Sequence, residues 1–246
     1  MLECRLQKHW HLAYHKPFIG VHHIAGHIYA NELVEDIEYP CLCLVVSGGH
    51  SELVYMKSEF SFEVIGQTLD DAIGEAYDKA GRVLHLPYPG GPVIDKMAAS
   101  GQHTYDLPLP LNDDSYNFSF SGLKSAVINL CHNAAQRGED IVPADLACSF
   151  QEVALDVLVS KTIKAAKDYQ VKEIIVAGGV SANRGLRKKL TADSPIKVLF
   201  PPMAYCTDNA AMIASAARVM YEHQQFSSLD LSVKPSYDLE EESIGE

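Results

Sequence analysis

The sequence predicts an α/β fold, because short apolar runs alternate along the chain with segments whose apolar residues recur every three or four positions. Two of the runs end in paired glycines, "VVSGGH" and "VAGGVSANRGLR", as strands do where they turn into loops. The composition agrees: 246 residues, 47% hydrophobic and 21% charged, suffice for one large or two modest domains with a real core.

The elements follow in order. "CLCLVVSGGHSELVYMK" sets two apolar runs around a Gly-Gly turn and reads as a β-hairpin. In "TLDDAIGEAYDKAGRVLHL" the recurrence of Ile73, Tyr77, Ala80 and Leu84 predicts a helix. "PYPGGPVIDKMAASG" breaks it with proline and glycine and starts a short second helix. Residues 102–117 are polar and proline-bearing, hence loop, and residues 121–138 and 143–169 carry helical patterns. "VKEIIVAGG" is a buried strand ending in glycines, and "SANRGLRKKL" opens the next helix. "IKVLF" is a further strand, followed by Pro201-Pro202 and a helix from about Asp208 to His223. The acidic tail after Gln224 has no clear period and is expected to fray.

A formal charge of −12 argues against a broad basic face for gripping nucleic acid, although a local groove or a partner could supply one. The longest apolar run, from Cys41 to Val46, is too short to cross a bilayer, and the opening residues lack the apolar stretch of a signal peptide. Six cysteines without a C-x-x-C pair predict reduced thiols in a cytoplasmic protein.

"VHHIAGHIYA" concentrates His22, His23 and His27 in a chain with eleven histidines. On a helix, His23 and His27 stand one turn apart and about 40° apart around the axis, so they could grip one ion. His22 points elsewhere and is expected to pack or take a hydrogen bond. A zinc protease would need H-E-x-x-H, whose glutamate is the general base; Ile24 stands there and cannot accept a proton. A third ligand must come from elsewhere, and Asp208 in "YCTDNAAM" is the candidate, with an ordinary helix-N-terminal acid as its alternative role. Two imidazoles and one carboxylate with open positions suit Fe(II), with Zn(II) as close competitor, one ion per chain.

The two Gly-Gly turns let backbone N–H groups approach an anion, and the second leads into a helix whose N-terminus favours phosphate. Asn183 could bond a base, a ribose or a backbone group, or simply cap its helix. Asp71, Glu75 and Asp78 share one helical face; that face is either solvated or contributes Asp78 as an acceptor of ribose hydroxyls. "PGGPVID" offers Gly91, where a flat group could approach the backbone, and Asp95 as a second hydroxyl acceptor.

From about His15 to Ser236 the chain resembles the tRNA N6-adenosine threonylcarbamoyltransferase family (TsaD, formerly glycoprotease). The likeness rests on eight ordered motifs: "VHHIAGHIYA", "LVVSGGHSELV", "DDAIGEAYDKAGRVL", "YPGGPVIDKMA", "FSFSGLKSA", "SFQE", "VAGGVSANRGLR" and "CTDNAAMIA". The resemblance implies an actin-like, sugar-kinase/Hsp70-type ATPase fold of two lobes with a metal-nucleotide site between them. It assigns metal ligation to His23, His27 and Asp208, and substrate binding to Val45, Val46, Ser47, Gly48, Gly49, Asp78, Gly91, Asp95 and Asn183. It implies transfer of the threonylcarbamoyl group from threonylcarbamoyl-AMP to N6 of adenosine 37 in tRNAs reading codons that begin with A. No Ser or Cys nucleophile is needed, because a metal and backbone N–H groups can stabilise the charge building on oxygen. A paralogous partner subunit and a small ATPase are the implied bacterial partners, with no membrane.

One departure stands out. Family members begin with a strand and phosphate loop well before the histidine helix, whereas "MLECRLQKHWHL" does not resemble that segment. The expectation is a chain lacking most of the first lobe: residues 1–43 a remnant bearing the metal helix, 44–206 the second lobe, and 207–246 a helix returning to the first lobe plus the acidic tail. One wall of the cleft would then be absent and apolar surface exposed. The family activity is the ancestral one, and the chain alone is not assured of it. The alternatives are a metallopeptidase, disfavoured by Ile24, a non-catalytic remnant that docks the partner subunit, and a sugar kinase, for which no catalytic aspartate is identifiable.

Overall fold

The computed structural model describes residues 2–111, 113–232 and 238–243. Its centre is a five-stranded mixed sheet of β1 (Cys41–Val46), β2 (Ser51–Met56), β3 (Glu63–Gln67), β4 (Glu173–Ala177) and β5 (Lys197–Leu199), in the order β3-β2-β1-β4-β5. β1 pairs antiparallel with β2, from Cys41 opposite Met56 to Val46 opposite Ser51, which is the predicted hairpin. β2 pairs antiparallel with β3, whereas β1, β4 and β5 run parallel. Parallel neighbours need a long crossover, and the helices α3 (Ile73–Val83), α4 (Gly90–Ala98), α5 (Ser121–Arg137) and α6 (Pro143–Asp168) provide it between β3 and β4.

Every residue of β1 is buried, because helices cover both faces of the sheet. Leu42, Leu44 and Val46 point into one core with residues of α3 to α6 and of α7 (Arg184–Asp193). Cys41, Cys43 and Val45 point into the other, with α2 (His23–Tyr29) and α8 (Ala210–Glu222). Continuous burial on both faces explains why β1 reads as an unbroken apolar run. Cys41, Cys43, Cys131, Cys148 and Cys206 are free thiols, and burial pushes those of Cys41 and Cys43 up.

Local chemistry sets the helix ends. Pro143 opens α6 at its first turn, where its missing N–H costs nothing. Gly138, at φ 69°, closes α5 in the left-handed region that favours glycine. The Asn183 and Asn209 side chains cap α7 and α8 by accepting the N–H groups of Leu186 and Met212.

Three features go beyond or against the sequence expectation. β3 was not foreseen: it is a half-exposed edge strand without a clean alternation. The opening forms a helix, α1 (Leu2–Tyr14), and exposes Trp10, Leu12 and Tyr14. The tail does not fray over residues 238–243. Leu239 is buried in the α2/α8 core, Glu240 Oε1 accepts the Val64 N–H at 2.7 Å, and Ser243 Oγ accepts that of Phe62 at 3.0 Å, so this segment covers the β3 edge. β1 runs across positions 43 and 44, and both α2 and α8 pack on one face of the sheet. Ser236, where the family resemblance ends, and residues 233–237 and 244–246 of the expected tail lie outside the described residues. No described helix is long and apolar enough to cross a membrane.

Candidate metal centre and adjoining cavity

α2 is short, yet it brings both predicted imidazoles to one place. His22 is its N-cap, with Nδ1 accepting the Ile24 N–H at 3.2 Å, so this histidine takes the hydrogen bond expected of it. One turn apart, the His23 and His27 rings meet edge to face, 4.8 Å between centroids. Gly26 faces Ile213 and Met212 and lets α8 approach closely. Asp208 lies two residues before α8, not within it, because Asn209 is the cap. Its Oδ1 stands 3.2 Å from His27 Nε2 and 3.4 Å from His23 Nε2.

Ligand atoms of His23, His27 and Asp208 all fall within 4.8 Å of one another. Burial lowers the His27 pKa, the neighbouring His23 adds to this, and the Asp208 carboxylate opposes both. A neutral imidazole keeps a lone pair for a ligand. That lone pair and the carboxylate would repel at this distance unless a proton or a cation lay between them. No Lys or Arg among the described residues pairs with Asp208 to relieve its charge. The donor set therefore fits a divalent ion of the Fe(II) or Zn(II) kind. His27 Nδ1 is buried without a hydrogen-bond partner among the described residues, at the position where a ligating histidine is usually supported from behind.

The hairpin turn of residues 47–50 lies between this centre and a cavity of about 570 Å³. His50 has its pKa lowered by burial and by His23, and Gly48 lines the cavity. Two glycines draw the other loops against the turn. A Cβ on Gly74 would stand 2.5 Å from Ser47 O, and one on Gly178, already at φ 89°, would stand 2.5 Å from Val46 O.

Five predicted residues line the cavity together: Gly48, Asp78, Gly91, Asp95 and Asn183. They differ in what they can still offer. Asp78 Oδ1 accepts the Gly90 N–H at 2.7 Å, and its other oxygen has no partner among the described residues. Asp95 accepts from Arg184 N, Gly185 N and Gln151 Nε2. Asn183 is fully committed: Oδ1 caps α7, and Nδ2 donates to Tyr77 Oη and Gln151 Oε1. It thus caps α7 and also forms part of the cavity wall.

The remaining predicted residues are placed elsewhere. Val45 and Val46 bury their side chains in opposite cores, so only their backbone supports the turn. Ser47 Oγ accepts the N–H groups of Gly49 and His50 within the turn and does not line the cavity. The acidic stripe dissolves: Asp71 precedes α3, and both it and Glu75 hold Lys79, at 2.5 and 2.6 Å. Sequence reasoning missed Tyr77, whose buried hydroxyl donates to Gln151, although Gln151 sits in the quoted "SFQE" motif. Neither did it find Tyr88, Lys96, Arg184 and Met203, which line the cavity from positions without a polar pattern.

The sheet, its two helical layers and a cation-suited triad place the chain in the class of mixed α/β proteins with a cavity beside the carboxyl ends of parallel strands. The fold alone is also shared with solved structures of HypF: that from T. kodakarensis superposes with a TM-score of 0.64 at 13% identity, over 90% of this chain and 39% of the other. A full-length HypF in its phosphate- and nucleotide-bound form gives 0.62 at 12% identity, over 86% and 36%. Within that class the chain belongs to the tRNA N6-adenosine threonylcarbamoyltransferase family (TsaD), whose family model matches residues 6–215. A relative of that name from Bacillus subtilis is 59% identical over 92% of this chain and 67% of its own length. Another, from Halalkalibacterium halodurans, is 56% identical over 93% and 68%. The chain thus spans about two thirds of the length of these curated relatives.

Proposed function

We propose that this chain carries the family's tRNA-modifying chemistry: transfer of the threonylcarbamoyl group from threonylcarbamoyl-AMP to N6 of adenosine 37 in tRNAs that read codons beginning with A. The observation that carries the reading is the convergence of His23, His27 and Asp208 beside the cavity walled by Asp78, Gly91 and Asp95. These three side chains would hold one divalent cation, Fe(II) in preference to Zn(II), and a bound cation supplies Lewis-acid stabilisation of charge on carbonyl or phosphate oxygen. The free Asp78 oxygen is the acceptor for a ribose hydroxyl, and Asp95 keeps the Asn183 turn in place. The acceptor amine needs no enzyme nucleophile, and burial, with help from Glu152, pushes the Cys148 thiol up and away from such a role. Partners in this reading are tRNA, a paralogous subunit and a small ATPase, in the cytoplasm.

The test is a depletion strain complemented with this chain, scored by mass spectrometry for threonylcarbamoyl-adenosine in its tRNA, with His27→Ala as control. Restored modification that His27→Ala abolishes is the expected result. Complex formation with the partner subunit but background modification would instead favour a non-catalytic docking role. The metallopeptidase alternative gains nothing from the site, since Ile24 occupies the position of the required base.

A further inference from the structure

Arg187 belongs to neither the triad nor the cavity wall, yet it touches the loops that carry both. From α7 its Nε donates to Ser181 O at 2.7 Å, and Nη2 donates to Pro201 O at 2.6 Å and to Cys206 Sγ at 3.3 Å. Its guanidinium lies over the Phe200 ring, 4.9 Å from the centroid. Ser181 is buried in the turn Gly179–Ala182 after β4, where Gly179, Val180 and Ala182 line the cavity. Cys206 is buried after β5 and precedes Asp208 by two residues; its thiol is directed at Pro201 O and Pro202 O. Because β4 and β5 are adjacent and parallel, both loops leave the sheet at the same end.

We infer that Arg187 is a positioning residue that fastens the cavity loop to the Asp208 segment, holding Asp208 at the metal centre and making occupancy of the cavity felt there. The inference rests on the metal reading above. Three features support it. Arg187 has no carboxylate partner among the described residues, so its charge is spent there on carbonyl oxygens and a sulfur rather than on an ion pair. The guanidinium is a rigid planar fork that holds two carbonyls in a more fixed relation than an ammonium on a flexible stem does. Lastly, Met203, in the same segment as Cys206, also lines the cavity, so a ligand there presses on the chain leading to Asp208.

Co(II) serves as the probe, because its visible spectrum reports ligand geometry independently of turnover. The purified chain is titrated with Co(II), with and without AMP, as wild type, His27→Ala, Arg187→Met and Arg187→Lys. The expected outcome is His27-dependent Co(II) binding in the wild type with a spectrum that AMP shifts. Arg187→Met should bind about tenfold more weakly, as support groups of metal ligands do when lost, and its spectrum should ignore AMP. Arg187→Lys should fall between them, and it carries the comparison if Arg187→Met does not fold. A merely structural arginine would lower the melting temperature but leave Co(II) affinity and the AMP response as in wild type, and that result overturns the inference alone. A wild-type chain without His27-dependent Co(II) binding would remove the metal reading and this inference together.

Discussion

His27 Nε2 stands 3.2 Å from Asp208 Oδ1, joining the helix ahead of β1 to the segment that follows β5. This pairing of distant segments is what a metal centre requires and what a local helix acid does not. Purified chain should therefore hold one Fe(II) or Zn(II), measured by elemental analysis after exhaustive dialysis. Replacing a ligand should weaken binding by at least about 100-fold, beyond the loss seen for supporting groups. Equal metal content in wild type and His27→Ala would end the assignment.

Asp78 and Asn183 share the cavity wall but should respond differently. Asp78→Asn keeps an oxygen for the Gly90 N–H and loses the charge, so AMP affinity should fall about tenfold, roughly 1.4 kcal/mol, with an unchanged melting temperature. Asn183→Ala removes the α7 cap and should cost about 1 kcal/mol of stability. Calorimetric AMP titration and denaturant unfolding separate the two; an Asp78→Asn chain that binds AMP as well as wild type would remove Asp78 from the site.

Asp70 gives a pH prediction. Burial acts to raise its pKa, but the Ser119 and Ser121 hydroxyls and the backbone N–H groups of Phe120 and Ser121 outweigh it and hold the carboxyl below its ordinary range. A pKa depressed on folding contributes stability above the unfolded value of about 3.9. That contribution is lost as pH falls through the folded value. Asp70→Ala should thus cost about 1 kcal/mol at neutral pH, as loss of a cap does, and the gap should close in acid. Parallel urea titrations between neutral pH and pH 3 check it; a gap independent of pH would disprove the role.

The tail segment should matter for solubility. Leu239→Ala opens a hole in the α2/α8 core and should cost about 2 kcal/mol. Removing residues 238–243 would uncover the N–H groups of Val64 in β3 and of Phe62 just before it, now met by Glu240 and Ser243, and an open edge invites strand pairing between molecules. Light scattering should then show self-association that rises with concentration; a monodisperse deletion variant would refute this.

Elements with strong local signals were legible in the sequence. The β1–β2 hairpin, α5, α6 and α7 carry apolar periods, glycine ends and caps that act over a few residues, and the structure has them where expected. β3 and the 238–243 strap were not legible, because an edge strand and its cover are defined by partners far away in sequence. The same distinction runs through the site. His23 and His27 declare themselves by one-turn spacing, and Asp208 by the motif that holds it. Tyr77 and Gln151 look like ordinary core residues until their hydroxyl and amide meet. The Asp71–Glu75–Asp78 stripe misled because α3 begins only at Ile73, leaving Asp71 free to turn toward Lys79.

The placement of β1 between β2 and β4 bears on how the chain is made. Its first neighbour follows after a four-residue turn (residues 47–50), whereas the second emerges from the ribosome only after α3, α4, α5 and α6. Hairpin contacts are local and quick, while the β1–β4 ladder must wait for a long loop to close. Throughout that wait the most apolar strand of the protein has one open flank, a window in which a nascent chain is vulnerable to aggregation.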